Sequence, residues 1–197
     1  AVRLLGQRIG RGLAFDPALP ITDVDIHSSS AVLGYARVLD LWGRSGKIDV
    51  IVPYTELEGS ADFAGQPITR TIHGMGDPAV RLSVNLYGAP ALGLREFAAY
   101  RQDTIVGVSL QVTPPLGQYD SSRVVNLSGH RWVFKPEAGV SKASGPWTLE
   151  GKAAATFFTD NTEFFGGVTR KQDPIYQVSG HAIYNMRSGI WWSVDAT

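Results

Sequence analysis

The 197-residue chain has no cysteine, which excludes disulfides and thiolate metal sites and leaves the compartment open, since many envelope proteins also lack it. It has no apolar run near the ~20 residues that a membrane helix needs, so any crossing of a bilayer has to use strands. It has no surplus of either charge: 18 basic and 18 acidic residues give a net charge of 0, and no electrostatic pull toward nucleic acid or anionic lipid follows. Charge is also sparse, at 18% against the ~25% of an average soluble domain. No basic-then-apolar leader follows Ala1, so a signal peptide is either absent or already removed.

What is present is glycine (22), aromatics (10%) and alternation. In "RWVFKPEAGVSKASGPWTLEGKAAATFFTD", Trp132, Phe134, Ala138 and Val140 fall on one parity, with Arg131, Lys135, Glu137 and Ser141 on the other. After the turn, Trp147, Leu149, Ala153, Ala155 and Phe157 oppose Thr148, Glu150, Lys152 and Thr156. A period of two means strands with one oily and one polar face. The same pattern recurs in "VRLSVNLY", "DTIVGVSLQVT", "IYQVSGHAIYNM" and "GIWWSVDAT", and less cleanly from Ser29 to Leu41 and from Lys47 to Leu57. "AVRLLGQRIGR" has no sustained period and is read as a further strand, which makes about nine.

Short and long connections alternate. "WGRSGK", "SKASGPW" and "MRSGI" are tight turns in which glycine supplies positive φ. "EGSADFAGQPITRTIHGMGDP", "PPLGQYDSSRVVNLSGH" and "TDNTEFFGGVTRKQDP" read as long polar loops. "GAPALGLREFAAYRQ" suggests a small helix capping the short-turn rim, with Leu94, Phe97 and Ala98 on one side. In an up-and-down antiparallel meander all short turns share one end, as in outer-membrane β-barrels. Strands of about 9–13 residues, against ~5–6 in soluble sheets, agree. So do two aromatic belts: Trp42, Tyr87, Trp147, Tyr184 and Trp192 near the short turns, and Tyr54, Trp132, Phe134, Phe157 and Tyr176 near the long loops. Periodicity alone also fits a soluble β-sandwich, such as a lectin-like binding module.

The stretches "GMGDPAVRLSVNLYGAPAL", "YRQDTIVGVSLQVTPPLGQYDSSRVVNLSGHRWVFKPEAGVSKASGPWTLE", "FFTDNTEFFGG" and "RSGIWWSVDAT" resemble a family of bacterial envelope proteins named for the meta-pathway of phenol degradation and often labelled transporters. The resemblance covers about residues 14 to 197 and is specific in order and spacing. It implies an all-β transmembrane barrel of the Gram-negative outer membrane, a channel for small hydrophobic or aromatic compounds, in contact with lipid and lipopolysaccharide. It carries no catalytic residue and no cofactor. Two features depart from it. "AVRLLGQRIGR" is Arg-rich, and the chain ends on an odd strand at Thr197, so a single barrel domain over residues 1–197 lacking its last strands is expected.

The charges on the polar parity are the candidate lining of a passage: Arg81, Asp103, Arg131, Lys135, Glu137, Glu150, Lys152, His181 and Asp195. A two-residue turn at Ser144 and Gly145 places Glu137 opposite Lys152, and a three-residue turn at Arg187, Ser188 and Gly189 places His181 opposite Asp195. Ser179, His181 and Asp195 invite a hydrolase triad and a lipid-acting barrel enzyme, but nothing supplies an oxyanion hole. The four histidines are dispersed and lack zinc spacing. "TDNTEFF" has the composition of a cation or sugar contact and equally that of a solvated loop, and "GDP" at Gly76–Pro78 is turn chemistry leading into a strand.

Overall fold

The computed structural model of the chain describes residues 2–9, 21–186 and 190–197. Twelve strands alternate with one short helix: β1 (Val2–Ile9), β2 (Ile21–Leu41), β3 (Arg44–Phe63), β4 (Gln66–Met75), β5 (Ala79–Tyr87), α1 (Leu94–Ala99), β6 (Thr104–Thr113), β7 (Val133–Ser144), β8 (Trp147–Phe158), β9 (Asn161–Phe164), β10 (Val168–Arg170), β11 (Ile175–Asn185) and β12 (Trp191–Ala196). Nine of them form an antiparallel meander in the order β1-β2-β3-β5-β6-β7-β8-β11-β12, with β4 paired to β3 alone and β9 to β10. The sheet is curled like half of a barrel. The strand expected near the start of the chain is there as Val2–Ile9, paired to β2 from Leu33 to Ile26.

The two faces of the sheet bury the opposite of what a soluble core would. Along β7, Lys135, Glu137, Gly139 and Ser141 are half-buried, while Phe134, Ala138 and Val140 are exposed. β6 repeats this, with Val106, Val108 and Leu110 exposed and Gly107, Ser109 and Gln111 half-buried. The polar parity therefore lies on the concave side and the apolar parity on the convex side. Tyr176 and Tyr184 bound the convex face of β11 with Val178, Gly180 and Ala182 between them. Their eight-residue separation is about 26 Å of strand, or about 20 Å along the normal at a barrel's tilt, close to the ~25 Å apolar band of such proteins. At the short-turn end Trp147, Tyr184 and Trp192 meet across three strands, with ring centroids 4.9, 5.5 and 5.8 Å apart. At the other end Trp132 stacks on Phe134 at 6.1 Å.

The faces exchange character along β3. Ile48, Val50, Val52 and Tyr54 are convex and apolar; Glu56, Glu58 and Ser60 continue on the same convex parity. On the concave parity, Lys47 and Asp49 give way to Leu57, Gly59, Ala61 and Phe63. Beyond Tyr54 the hairpin is thus built like a water-soluble sheet. Ile26 and Ile72, the buried hydrophobic side chains among the described residues, both sit in this extension.

The segment read as a long loop after Leu57 is instead this extension. Glu58 to Phe63 continue β3, Ala64 and Gly65 turn with φ of 51° and 79°, and β4 returns to Met75. Positive φ at both positions is a type I′ turn, which matches the strand twist, and Trp42–Gly43 does the same between β2 and β3. The expected helix is present as α1, opened by Glu96 Oε2 accepting from Gly93 N at 3.0 Å, but Phe97 is exposed. The β7–β8 turn also differs from expectation. Strand pairing runs to Ser144 opposite Trp147, so Gly145 and Pro146 form the turn. Gly145 (φ 58°) takes the one positive-φ position of a type II′ turn, and the proline ring fixes the negative φ that follows. A Ser144–Gly145 turn would have forced serine into positive φ. Moving the turn by one residue shifts the register by two, which puts Glu137 opposite Ala154 and Lys152 opposite Gly139 and leaves the side chains of both strands on their predicted faces. The turn at 187–189 lies outside the described residues.

Candidate functional site

Cross-strand rows on the concave face bring most of the candidate charges together. Arg81 faces Asp49 on one side and Gln111 on the other, and its Nη2 donates to Gln111 Oε1 at 2.8 Å. Lys47 Nζ lies 3.1 Å from Asp49. Gln111 in turn faces Lys135, whose Nζ donates to Gln177 Oε1 at 3.4 Å. Lower in the sheet Ser141, Glu150, His181 and Asp195 are successive partners across β7, β8, β11 and β12. Ser141 Oγ donates to Glu150 Oε1 at 3.0 Å, and His181 Nδ1 pairs with Asp195 Oδ1. The predicted His181–Asp195 opposition is therefore present. Glu137 and Lys152 are diagonal neighbours, 4.0 Å apart.

An open cavity of about 280 Å³ gathers Arg81, Glu137, Glu150, Lys152 and His181 over a floor of Gly107, Gly139 and Gly151. The glycines and serines leave room there, and the paired charges neutralise each other without filling it. Each exposed pair is worth little to stability, about 0–1 kcal/mol, so the arrangement does little to hold the fold. The remaining candidates sit apart. Asp103 lies just before β6 at the short-turn rim, 78% exposed, and pairs with Lys142, a convex-parity residue of β7. Arg131 lies before β7 with its guanidinium 4.4 Å over the Phe158 ring and Nη2 on Gln172. Burial, and secondarily the nearby Arg170, lowers its pKa. Ser179 is buried and bonded to Gln177 and Thr197.

The connection from Pro114 to Trp132 folds inward over the concave face at the outer end, where the Gln118 side chain lies against Gly74. Asp77, in the "GDP" turn, accepts backbone N–H groups from both Gly117 and Gly129 at 2.9 Å. Asn161, 2% exposed, donates to Tyr119 Oη at 3.0 Å and to the Gly129 carbonyl at 3.1 Å. His130 stacks on Tyr119 at 4.3 Å, and its Nε2 lies 3.0 Å from Glu163. This clasp is missing from the sequence reading. Its one legible signal is the Asp-Pro of the turn, because an aspartate there has free acceptors; which amides would come to it depends on a loop with no period.

An outer membrane channel from Pseudomonas putida F1, known from a crystal structure, matches the fold with a TM-score of 0.66 over 88% of this chain at 21% identity. This chain spans 61% of that channel's length. No curated protein matches the sequence. The model of the family described as "Putative MetA-pathway of phenol degradation" matches residues 10–196, and the chain belongs to that family.

Proposed function

We propose that this protein forms the wall of an outer-membrane channel for small hydrophobic or aromatic solutes, with Arg81, Lys135, Glu137, Glu150, Lys152, His181 and Asp195 lining the path and Arg131 near its outer end. The observation that carries it is the inverted burial: apolar side chains such as Val178 (75% exposed) face out, while Arg81, Lys135, Glu137 and His181 on the opposite parity are half-buried. In water that exposure would cost about 25 cal/mol per Å² of apolar surface; in lipid it costs nothing. The same observation disfavours a soluble sandwich, whose apolar faces would be enclosed. The acidic convex stretch beyond Tyr54 would meet the sugar and phosphate zone of the outer leaflet. The solute class rests on the family description and on the apolar lining at the outer end. The reading is of passive passage without catalysis or cofactor.

Reconstitution in planar bilayers tests it. Discrete conductance steps, altered by Glu137→Gln and by Lys152→Gln in opposite directions of ion selectivity, are expected. β structure in vesicles with no conductance, and no uptake of benzene-sized solutes in a vesicle assay, would overturn the channel while leaving the fold.

A further inference from the structure

The soluble-like extension lines a second, partly open cavity of about 350 Å³, distinct from the charged cavity. Its walls are Ile26, Leu57, Ala61 and Phe63 from the sheet, Val124 and Val125 from the inward loop, and Phe165 from the other side. No carboxylate lines it among the described residues, but Arg70 and Arg123 do. Asp120, the acid that both guanidiniums influence, is exposed outside the lining and is already engaged by Ser122. Arg70 is the telling residue: it sits on concave parity opposite Gly59, and its Nε is buried without a hydrogen-bond acceptor among the described residues. A buried N–H of a charged group left unpaired is costly, about 1–3 kcal/mol, so this guanidinium gains from an anion beside it. Apolar cavities of about 150 Å³ already hold a benzene ring. This one is larger and has a cation at its wall.

We propose that this cavity is a binding site for a small molecule with an apolar body of one or two rings and a single anionic oxygen group, the body against Phe63, Val125 and Phe165 and the oxygen on the Arg70 guanidinium. The proposal deepens the channel reading, since the site lies over the concave face at the outer end, yet binding requires no conduction. Benzoate is the probe, with acetate as the control that lacks the apolar body, titrated calorimetrically into the folded chain in detergent. Benzoate binds at one site and acetate does not. Arg70→Met keeps the apolar stem and weakens benzoate by at least about tenfold, the loss of one charge-assisted hydrogen bond. Ala61→Phe fills the cavity and abolishes binding; Val125→Trp does so from the loop side should the first variant fail to fold. Absence of benzoate binding, equal binding of acetate, or binding unchanged in Arg70→Met and in both filled variants overturns the proposal. A conducting protein that does not bind benzoate sinks the site alone; a binding protein that does not conduct sinks the channel alone.

Discussion

Residues 109 and 110 are adjacent in β6 and point to opposite faces, so one arginine placed at each position asks which solvent each face meets. Leu110 is 46% exposed, in register with Leu82 and Pro136, in the middle of the convex apolar row Val106–Val112. If that face meets lipid, Leu110→Arg destabilises by about 2–4 kcal/mol, the cost of a cation near the bilayer midplane. If it meets water, the side chain is already half out of the protein and the change costs within about 0.5 kcal/mol, as for an ordinary surface substitution. Ser109 faces Glu137 on the concave side, so Ser109→Arg gains a partner and changes stability by about 0–1 kcal/mol in either direction. The assay is guanidinium unfolding from lipid vesicles, followed by tryptophan fluorescence, with unchanged denaturant slope required of both variants. A Leu110→Arg cost below about 0.5 kcal/mol, or a larger cost at Ser109, would refute the assignment of the faces, and with it the lining residues.

Further tests address the rim and the loop. Tyr184→Ala removes a ring that touches both Trp147 and Trp192, and is expected to lower vesicle-embedded stability by about 1–3 kcal/mol through two aromatic contacts, read by the same unfolding assay. Asp77→Ala leaves the Gly117 and Gly129 amides without their acceptor, so protease cleavage within residues 114–132 accelerates by about tenfold or more while the sheet persists by circular dichroism. Gly117→Ala does the same for a steric reason: a Cβ there would lie 2.6 Å from the Gly76 carbonyl carbon. Hydrogen bonds from Ser122 lower the Asp120 pKa below 3.8, so that carboxylate supports the loop above pH 3.8 and its support is lost as pH falls further through the folded pKa. Amide exchange at Ser122 is expected to show constant protection at neutral pH and lose it only in that acid window.

The meander was legible because alternation is a local property and glycine marks its turns. Nine strands, their faces, the His181–Asp195 pair and the aromatic row Trp147–Tyr184–Trp192 all follow from parity plus turn position. The register of β7 on β8 did not follow, because "SGP" offers two overlapping turns and choosing between them needs the φ of each residue. The β3–β4 extension was hidden by its composition: Glu58 and Asp62 look like loop residues until they are placed on one side of a sheet with Leu57, Ala61 and Phe63 on the other. The clasp on Asp77 was out of reach, because its donors are backbone amides 40 and 52 residues away, and a backbone amide has no letter in a sequence.

Tyr54 shows why one periodicity served two environments. Up to it, β3 places Ile48, Val50 and Val52 outward and Lys47 and Asp49 inward, with Ile51 and Pro53 already apolar on the inner parity; past it, Glu56 and Glu58 go outward and Leu57, Ala61 and Phe63 inward. The strand does not break, and no bulge between 54 and 60 shifts its pairing with β4. Both faces change partner: the inner face meets the inward loop through Val124 and Val125, and on the channel reading the outer face passes from hydrocarbon to water, with an aromatic hydroxyl at the boundary where such rings are stable. An unbroken backbone with reversed polarity is what a change of solvent on the outer face, together with an apolar loop on the inner face, would produce. On the channel reading the membrane surface falls near residues 54–56 on this hairpin, and the apolar cavity of this sheet forms beyond that line, where oil must turn inward to leave water.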